Sequence, residues 1–366
     1  MTKLSRNHSI AKVSAIPNLR YHPSQRFVLR RLDSGHAADF AADVRRGLSA
    51  SPKFLLSKYL YDELGSRLFA AICALPEYYL ARVESEILAA HAGEILGLLE
   101  GPLRLLELGS GDAEKTPLLI EGLLARQGQL RYLPIDISES AVEASGEKLL
   151  LAYPGLSITA FVADYQEALQ ALSRLIAGAA GAAGAAGAAG AAGGSAERTL
   201  ALFLGTTLGN LEPDEQHALL GALRRLLRPG DGLLLGVDLK KPASLLLPAY
   251  DDPLGVTAAF NLNLLVRIHR ELGGEFDVRR FRHLALYDPE RGRIEMRLES
   301  RVAQTVPIRD LGMEVAFAAG ETVHTESSYR FDPDQLAELA RATGFALWRS
   351  WTDAEGRFGV FLFTPF

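Results

Sequence analysis

From Leu103 to Val237 the chain alternates short apolar runs with stretches whose apolar residues recur at helical spacing. Leu103–Leu108, Arg131–Ile135, Leu156–Val162, Leu200–Leu204 and Leu233–Val237 read as strands. Thr116–Arg126, Ser138–Leu151 and Glu212–Leu227 read as helices, the last with Leu219, Leu220, Leu223, Leu226 and Leu227 on one face. Pro213 stands where a first-turn proline is tolerated, and Arg228 to Gly232 is a turn. Such alternation predicts a parallel sheet with helices on both faces. After the fifth strand the pattern breaks. A helix over Val256–Leu272 and strand-like stretches around His283–Tyr287 and Arg293–Val302 read as an inserted lobe. Pro333–Ala340 then reads as a helix. Ala346–Trp351 and Phe358–Phe363 read as two strands around an Asp353–Gly356 turn, returning the chain to the edge of the sheet.

Two regions lie outside this pattern. Residues 177–194 repeat Gly-Ala-Ala without proline, which excludes collagen and leaves almost no side chain to bury. This reads as a flexible surface insertion. The first 31 residues carry scattered Lys and Arg with no apolar core behind them, so they read as a partly ordered arm rather than a secretory signal.

The 366 residues are 48% hydrophobic, enough for one large domain or two smaller ones. A net charge of −5 with both signs interspersed argues against a nucleic-acid partner. Cys73 is the single cysteine, so no internal disulfide is possible. A reducing, cytoplasmic setting is expected, with Cys73 a buried packing thiol. No stretch reaches the roughly 18 apolar residues of a membrane span. Without a heptad or apolar surface stripe, a monomer is expected. The eight histidines are scattered without metal-ligand spacing, and there is no Gly-x-Ser-x-Gly elbow.

The chemistry concentrates where the first strand ends, in Leu106-Glu107-Leu108-Gly109-Ser110-Gly111-Asp112-Ala113-Glu114-Lys115-Thr116. A strand that stops at two glycines before a helix presents backbone N–H groups to a ligand. The third glycine of the dinucleotide fingerprint is replaced by Glu114. The turn therefore suits a nucleoside better than a pyrophosphate, and points from NAD toward S-adenosyl-L-methionine. Gly109, Asp136, Asp164 and Gly205 all stand at carboxyl ends of strands. Asp136 suits a ribose diol and Asp164 the adenine amine. Either alone is more often a helix cap; together behind a glycine turn they indicate a nucleoside site. Lys115 sits where the helix dipole disfavours a cation, as an exposed lysine or as a partner for the methionine carboxylate.

Further stretches carry a resemblance. They are Lys58 to Ser66 (KYLYDELGS), Leu75-Pro76-Glu77-Tyr78-Tyr79, Gly205-Thr206-Thr207-Leu208-Gly209-Asn210, Ala249-Tyr250-Asp251-Asp252, Arg293-Ile294-Glu295-Met296 and Thr325-Glu326-Ser327-Ser328. With the Gly109 run, they resemble the histidine-specific Nα-methyltransferases of ergothioneine biosynthesis, from about Ser51 to the C-terminus. That family converts L-histidine to its trimethylammonium betaine, hercynine. The resemblance implies an α/β fold: a class I S-adenosylmethionine-dependent methyltransferase sheet, Rossmann-like, with an inserted α+β substrate-binding lobe. The implied organisation is an arm over residues 1–50, a helical part of the substrate lobe over 51–100, the methyltransferase domain over 101–240, the inserted lobe over 241–330, and a return to the sheet over 331–366.

The resemblance also implies roles. Gly109, Lys115, Asp136, Asp164 and Tyr165 would hold S-adenosyl-L-methionine. Asn210 and Tyr250 would bind the substrate carboxylate. Glu326 and Ser328 would hydrogen-bond the imidazole, with Met296 beside it. Tyr61 and Gly205 would lie near the amine, directly or through water, and Tyr78 and Phe69 would close the pocket. Without the resemblance, Tyr61, Tyr78 and Met296 read as core residues and Glu326 as a surface carboxylate. The chain departs from the family at Leu80-Ala81-Arg82-Val83-Glu84, where a Pro-Thr-Arg-Thr-Glu-like stretch is usual. Two other readings remain open at this level: an enzyme of the same class acting on tryptophan or another aromatic amino acid, and a non-catalytic nucleoside-binding module. Deleting residues 177–194 should leave the melting temperature and cofactor binding unchanged, which calorimetry of the shortened chain would check.

Overall fold

The computed structural model describes residues 19–21, 26–32, 36–174 and 197–366. The Gly-Ala-Ala repeat lies outside them, as does most of the chain before Arg26. The segment read as an arm contributes β1 (Leu19–Tyr21) and β2 (Phe27–Arg31), then α1 (His36–Ser49). In β2, Phe27 and Leu29 alternate with half-buried neighbours and are almost fully buried. Three apolar residues among arginines are too short a run to stand out in the sequence, but they suffice to bury one strand face. Arg26 adds an anchor: its guanidinium donates to the carbonyls of Leu150, Tyr153 and Leu156 at 2.9–3.0 Å.

The chain continues through β3 (Lys53–Phe54), α2 (Glu63–Cys73) and α3 (Tyr79–Gly97). The expected alternation follows: β4 (Leu103–Leu108), α4 (Pro117–Gln127), β5 (Leu130–Asp136), α5 (Glu139–Ala152) and β6 (Leu156–Val162). A further helix, α6, is described over 165–174 and was not read from the sequence. Then come β7 (Arg198–Phe203), α7 (Pro213–Leu226) and β8 (Gly232–Asp238). Thr116, which the apolar pattern included in α4, is its N-terminal flank, because Pro117 starts the helix.

Next are α8 (Ala243–Leu246), α9 (Val256–Leu272), β9 (Phe281–Asp288), β10 (Arg293–Ser300), β11 (Gln304–Ile308), β12 (Met313–Phe317) and β13 (Thr322–Tyr329). The chain ends with α10 (Pro333–Ala342), β14 (Phe345–Thr352) and β15 (Phe358–Pro365).

The main sheet has the order β1-β2-β6-β5-β4-β7-β8-β15-β14, parallel from β2 to β8 and antiparallel at its two ends. β2 covers the edge that β6 would otherwise leave open. Strand order reverses between β4 and β7, the place where open α/β sheets bind ligands. β8 is buried along its whole length, as its run Gly-Leu-Leu-Leu-Gly-Val-Asp implies.

A second sheet, β3-β13-β10-β9, carries the inserted lobe. Only β9 and β10 were legible as strand-like. β13 reads Thr-Val-His-Thr-Glu-Ser-Ser-Tyr, a polar run that gives no apolar alternation. β3 pairs parallel with β13, Phe54 opposite His324, so residues before β4 and after β8 build one sheet. No helix among the described residues is long and apolar enough to cross a membrane.

The start of α2 sets the position of this lobe. Asp62 caps the helix by accepting from Gly65 N at 2.7 Å, and also accepts from Asn263 of α9 and Arg270. A Cβ on Gly65 would fall 1.7 Å from the Leu60 carbonyl oxygen. Gly65→Ala in a helix would ordinarily stabilise; here it should instead destabilise by about 1–3 kcal/mol through overpacking. Urea titration of the variant checks the sign.

Candidate active site

A cavity of about 1210 Å³ opens at the carboxyl ends of the parallel strands and runs under the inserted lobe. Every site residue named from the sequence lines it except Ser328, which is buried behind the wall against Tyr250.

At the sheet end, Gly109 and Gly111 both take left-handed backbone, φ +68° and +51°. A Cβ on Gly109 would come within 2.8 Å of the Tyr165 hydroxyl, so only glycine fits between the turn and Tyr165. Asp136 accepts from Gly111 N and Ser138 N, each at 2.8 Å. Burial raises its pKa against these donors. Asp164 accepts from Glu167 N at 2.9 Å and so also caps α6. Tyr165 packs edge-on to Phe203. The buried Ser110 hydroxyl has no partner among the described residues. A turn with two left-handed glycines, two acceptor carboxyls and an unpartnered hydroxyl fit a ribose and its base.

Lys115 does not float free, as an exposed lysine would. It pairs with Glu84 of α3, whose side chain is fully buried. Glu84 also accepts from Gly205 N at 2.9 and 3.0 Å. Burial alone would lower the Lys115 pKa, but the Glu84 carboxylate outweighs it and holds the ammonium above its ordinary range. The sequence reading missed Glu84. Its signal was a charged residue at a core position of α3, among Leu80, Val83, Ile87 and Leu88. Gly205 and Thr206 are both left-handed, φ +76° and +63°. Thr206 is held there by accepting from Asp238 N at 2.7 Å through Oγ1. Glu107, whose carboxyl is buried, is pushed up to about 7 by burial, against hydrogen bonds from Tyr132 and Thr116.

At the lobe end, an aromatic wall forms. Tyr61 meets Phe69 and Phe260 edge-on at 5.5 and 5.4 Å, and Tyr78 bridges Phe69 and Tyr250 at 6.0 and 6.4 Å. Met296 of β10 stands directly opposite Glu326 of β13, at a bulge where Thr325 is the extra residue of β13. Asn210 closes a short turn after β7 and donates to Glu326 at 3.1 Å. Tyr250 is fixed from behind: its carbonyl lies 2.8 Å from His283 Nε2 and its hydroxyl 2.9 Å from Ser328 Oγ. Glu326 is 5% exposed, and burial pushes its pKa up to about 8, opposed by Arg330.

Residues 40–365 match the family described as histidine-specific methyltransferase, SAM-dependent. The chain belongs to that family. The histidine N-alpha-methyltransferase of Mycolicibacterium smegmatis is 41% identical over 332 residues, 89% of this chain and 96% of that protein. The enzyme of the same name from Mycobacterium tuberculosis is 41% identical over 330 residues, 90% and 96% of the two chains. Ergothioneine biosynthesis protein 1 of Schizosaccharomyces pombe is 27% identical over 258 residues, 69% of this chain and 31% of that one. This histidine-specific methyltransferase therefore has the class I S-adenosylmethionine-dependent fold that the resemblance implied, built on the parallel sheet that the alternation predicted, with a second sheet beside it.

Glu326 makes a pH-dependent contribution to stability. Its carboxyl titrates near 4.5 when unfolded and about 8 in the fold. Between those values the unfolded chain releases a proton that the folded chain keeps, so stability falls as pH rises. Glu326→Gln keeps an acceptor for Asn210 and removes that loss. Its melting temperature should exceed the parent's by a margin that widens from pH 5 to 8, read by calorimetry across that range.

Proposed function

We propose that this enzyme trimethylates the α-amino group of L-histidine to give hercynine, a step of ergothioneine biosynthesis, as a cytoplasmic monomer. The observation that carries the reading is Glu326: a buried carboxyl facing Met296, within reach of Asn210, at the far end of a cavity whose other end is shaped for a nucleoside. Family membership and the mycobacterial relatives support the same reaction.

In this reading S-adenosyl-L-methionine supplies the methyl group as a sulfonium. Gly109, Asp136, Asp164 and Tyr165 hold its nucleoside, and Lys115 faces its carboxylate. Asn210 and Tyr250 donate to the histidine carboxylate. Glu326 hydrogen-bonds the imidazole and Met296 packs on the ring; Ser328, which the resemblance assigned to the other nitrogen, instead lies behind the wall with its hydroxyl engaged by Tyr250 and Arg330. A site built on buried hydrogen bonds rejects amino acids that leave those groups unpaired, indole included.

With both ends of the amino acid held, the amine is aimed at the methyl group. Methyl transfer is an in-line displacement, so alignment carries most of the catalysis. Each attack needs a neutral amine. The aromatic wall of Tyr61, Phe69 and Tyr78 excludes water and disfavours the ammonium. The ammonium gives up its proton to solvent before each attack, and Tyr61 and the Gly205 turn flank the neutral amine, directly or through water. The Tyr61 hydroxyl itself stays protonated, because burial holds its pKa well above the ordinary range.

Incubation with S-adenosyl-L-methionine and L-histidine should yield products heavier by one, two and three methyl groups in mass spectrometry. Tryptophan in place of histidine should give none. Glu326→Ala should raise the KM for histidine about tenfold or more while changing that for S-adenosyl-L-methionine little. Histidine kinetics unchanged by this substitution would overturn the assignment of the imidazole subsite.

A further inference from the structure

The acceptor end of the cavity must hold a carboxylate, yet Asn210 and Tyr250, the groups proposed to bind it, are neutral. Lys115 is committed to Glu84 at the cofactor end. Apart from its tyrosines, the ionisable residue assigned to the substrate is Glu326, itself a carboxyl. A carboxylate buried here without a cation would be costly.

A cation does stand behind the wall. Arg330 follows β13 and its side chain is fully buried, as is that of Asp238, with Nε 2.7 Å from Oδ2. Lys241 Nζ lies 2.6 Å from Oδ1 of the same carboxylate. Two cations thus share one anion, and the buried cluster carries excess positive charge. The Arg330 guanidinium lies 5.1 Å from the centre of the Tyr250 ring. Its Nη1 donates to Ser328 Oγ at 2.9 Å, and Ser328 Oγ is 2.9 Å from the Tyr250 hydroxyl. Its Nη2 has no hydrogen-bond partner among the described residues.

The polarity of this chain follows from donor inventory. A guanidinium only donates, so Ser328 Oγ accepts from Arg330. The serine proton then points away from the cation, toward Tyr250. The tyrosine oxygen accepts it, and its own proton is left to point into the cavity. Each bond polarises the next in the same sense. With the opposite orientation, Tyr250 would turn its lone pairs toward an incoming carboxylate.

We propose that Arg330 is a positioning residue for the substrate carboxylate: it orients the Ser328–Tyr250 hydroxyl pair so that Tyr250 donates into the cavity, and it supplies from behind the ring the positive charge that the wall lacks. This rests on the assignment of Tyr250 to the carboxylate. Two shifts agree with it. Arg330 opposes the rise that burial imposes on Tyr250. Burial also raises Glu326 to about 8, so at neutral pH that carboxyl leaves the excess charge uncancelled.

The test compares L-histidine with L-histidinamide, which lacks the negative charge, by calorimetric titration of the full chain loaded with S-adenosylhomocysteine. Arg330→Met should weaken histidine by about tenfold or more relative to its effect on histidinamide, with S-adenosylhomocysteine affinity unchanged. Equal weakening of both ligands, or no weakening, would overturn the proposal. If Arg330→Met does not fold, the double variant Arg330→Met/Asp238→Asn, which removes the paired charges together, carries the same expectations. Tyr250→Phe separates the two layers of inference. If it too fails to discriminate the ligands, the carboxylate assignment falls; if it discriminates and Arg330→Met does not, the role of Arg330 alone falls.

Discussion

Glu84 is a fully buried carboxylate on which three parts of the molecule converge. It reaches from α3, before β4, to the ammonium of Lys115 in the turn after β4 and to the backbone N–H of Gly205 after β7. A buried carboxylate is tolerable only when it is paired and fully hydrogen-bonded, so each partner is obliged to stay. The approach is possible because β8 passes beneath with a glycine: a Cβ on Gly236 would fall 1.7 Å from Glu84 Oε1. The turns that follow β4 and β7 are thereby held by one side chain.

The acceptor end is organised on the opposite principle. Its polar groups are mostly neutral, and its charges lie one layer back. Asp238 receives the Tyr79 hydroxyl, Lys241 and Arg330, and its own N–H fixes the left-handed Thr206. His283 and Ser328 hold Tyr250 by its carbonyl and hydroxyl. His283 Nδ1 lies 2.9 Å from Asn261 Nδ2, which donates, so Nε2 carries the proton toward Tyr250. The pocket wall is thus braced by His283, Ser328 and Asp238, none of which lines the cavity.

The two ends differ in how far the sequence disclosed them. The sheet end, proposed above for the nucleoside, was legible as a candidate site because strand, glycine turn and helix are contiguous, and because Asp136 and Asp164 stand at the ends of adjacent strands. The acceptor end was legible only through resemblance. Met296 and Glu326 are cross-strand neighbours thirty residues apart, at a bulge that no periodicity marks. β13 is polar because it lines the cavity, so it hides as a strand for the same reason that it serves as a wall. β2 is short and flanked by arginines, and is stable only because β6 offers it an edge. Glu84 and Arg330 looked like ordinary charged residues; their burial is a property of the assembled fold.

The pairing of β3 with β13 has a consequence for how specificity can change. Two residues near the start of the chain complete a sheet whose other strands arrive more than two hundred residues later. The acceptor lobe is therefore not a module that can be cut out at two points. Exchanging residues 241–330 with those of a relative would part β13 from its native edge strand, and α9 from α2. In this architecture a new acceptor is reached more readily by point changes on β10 and β13, which leave the interleaved chain intact, than by recombination of whole segments.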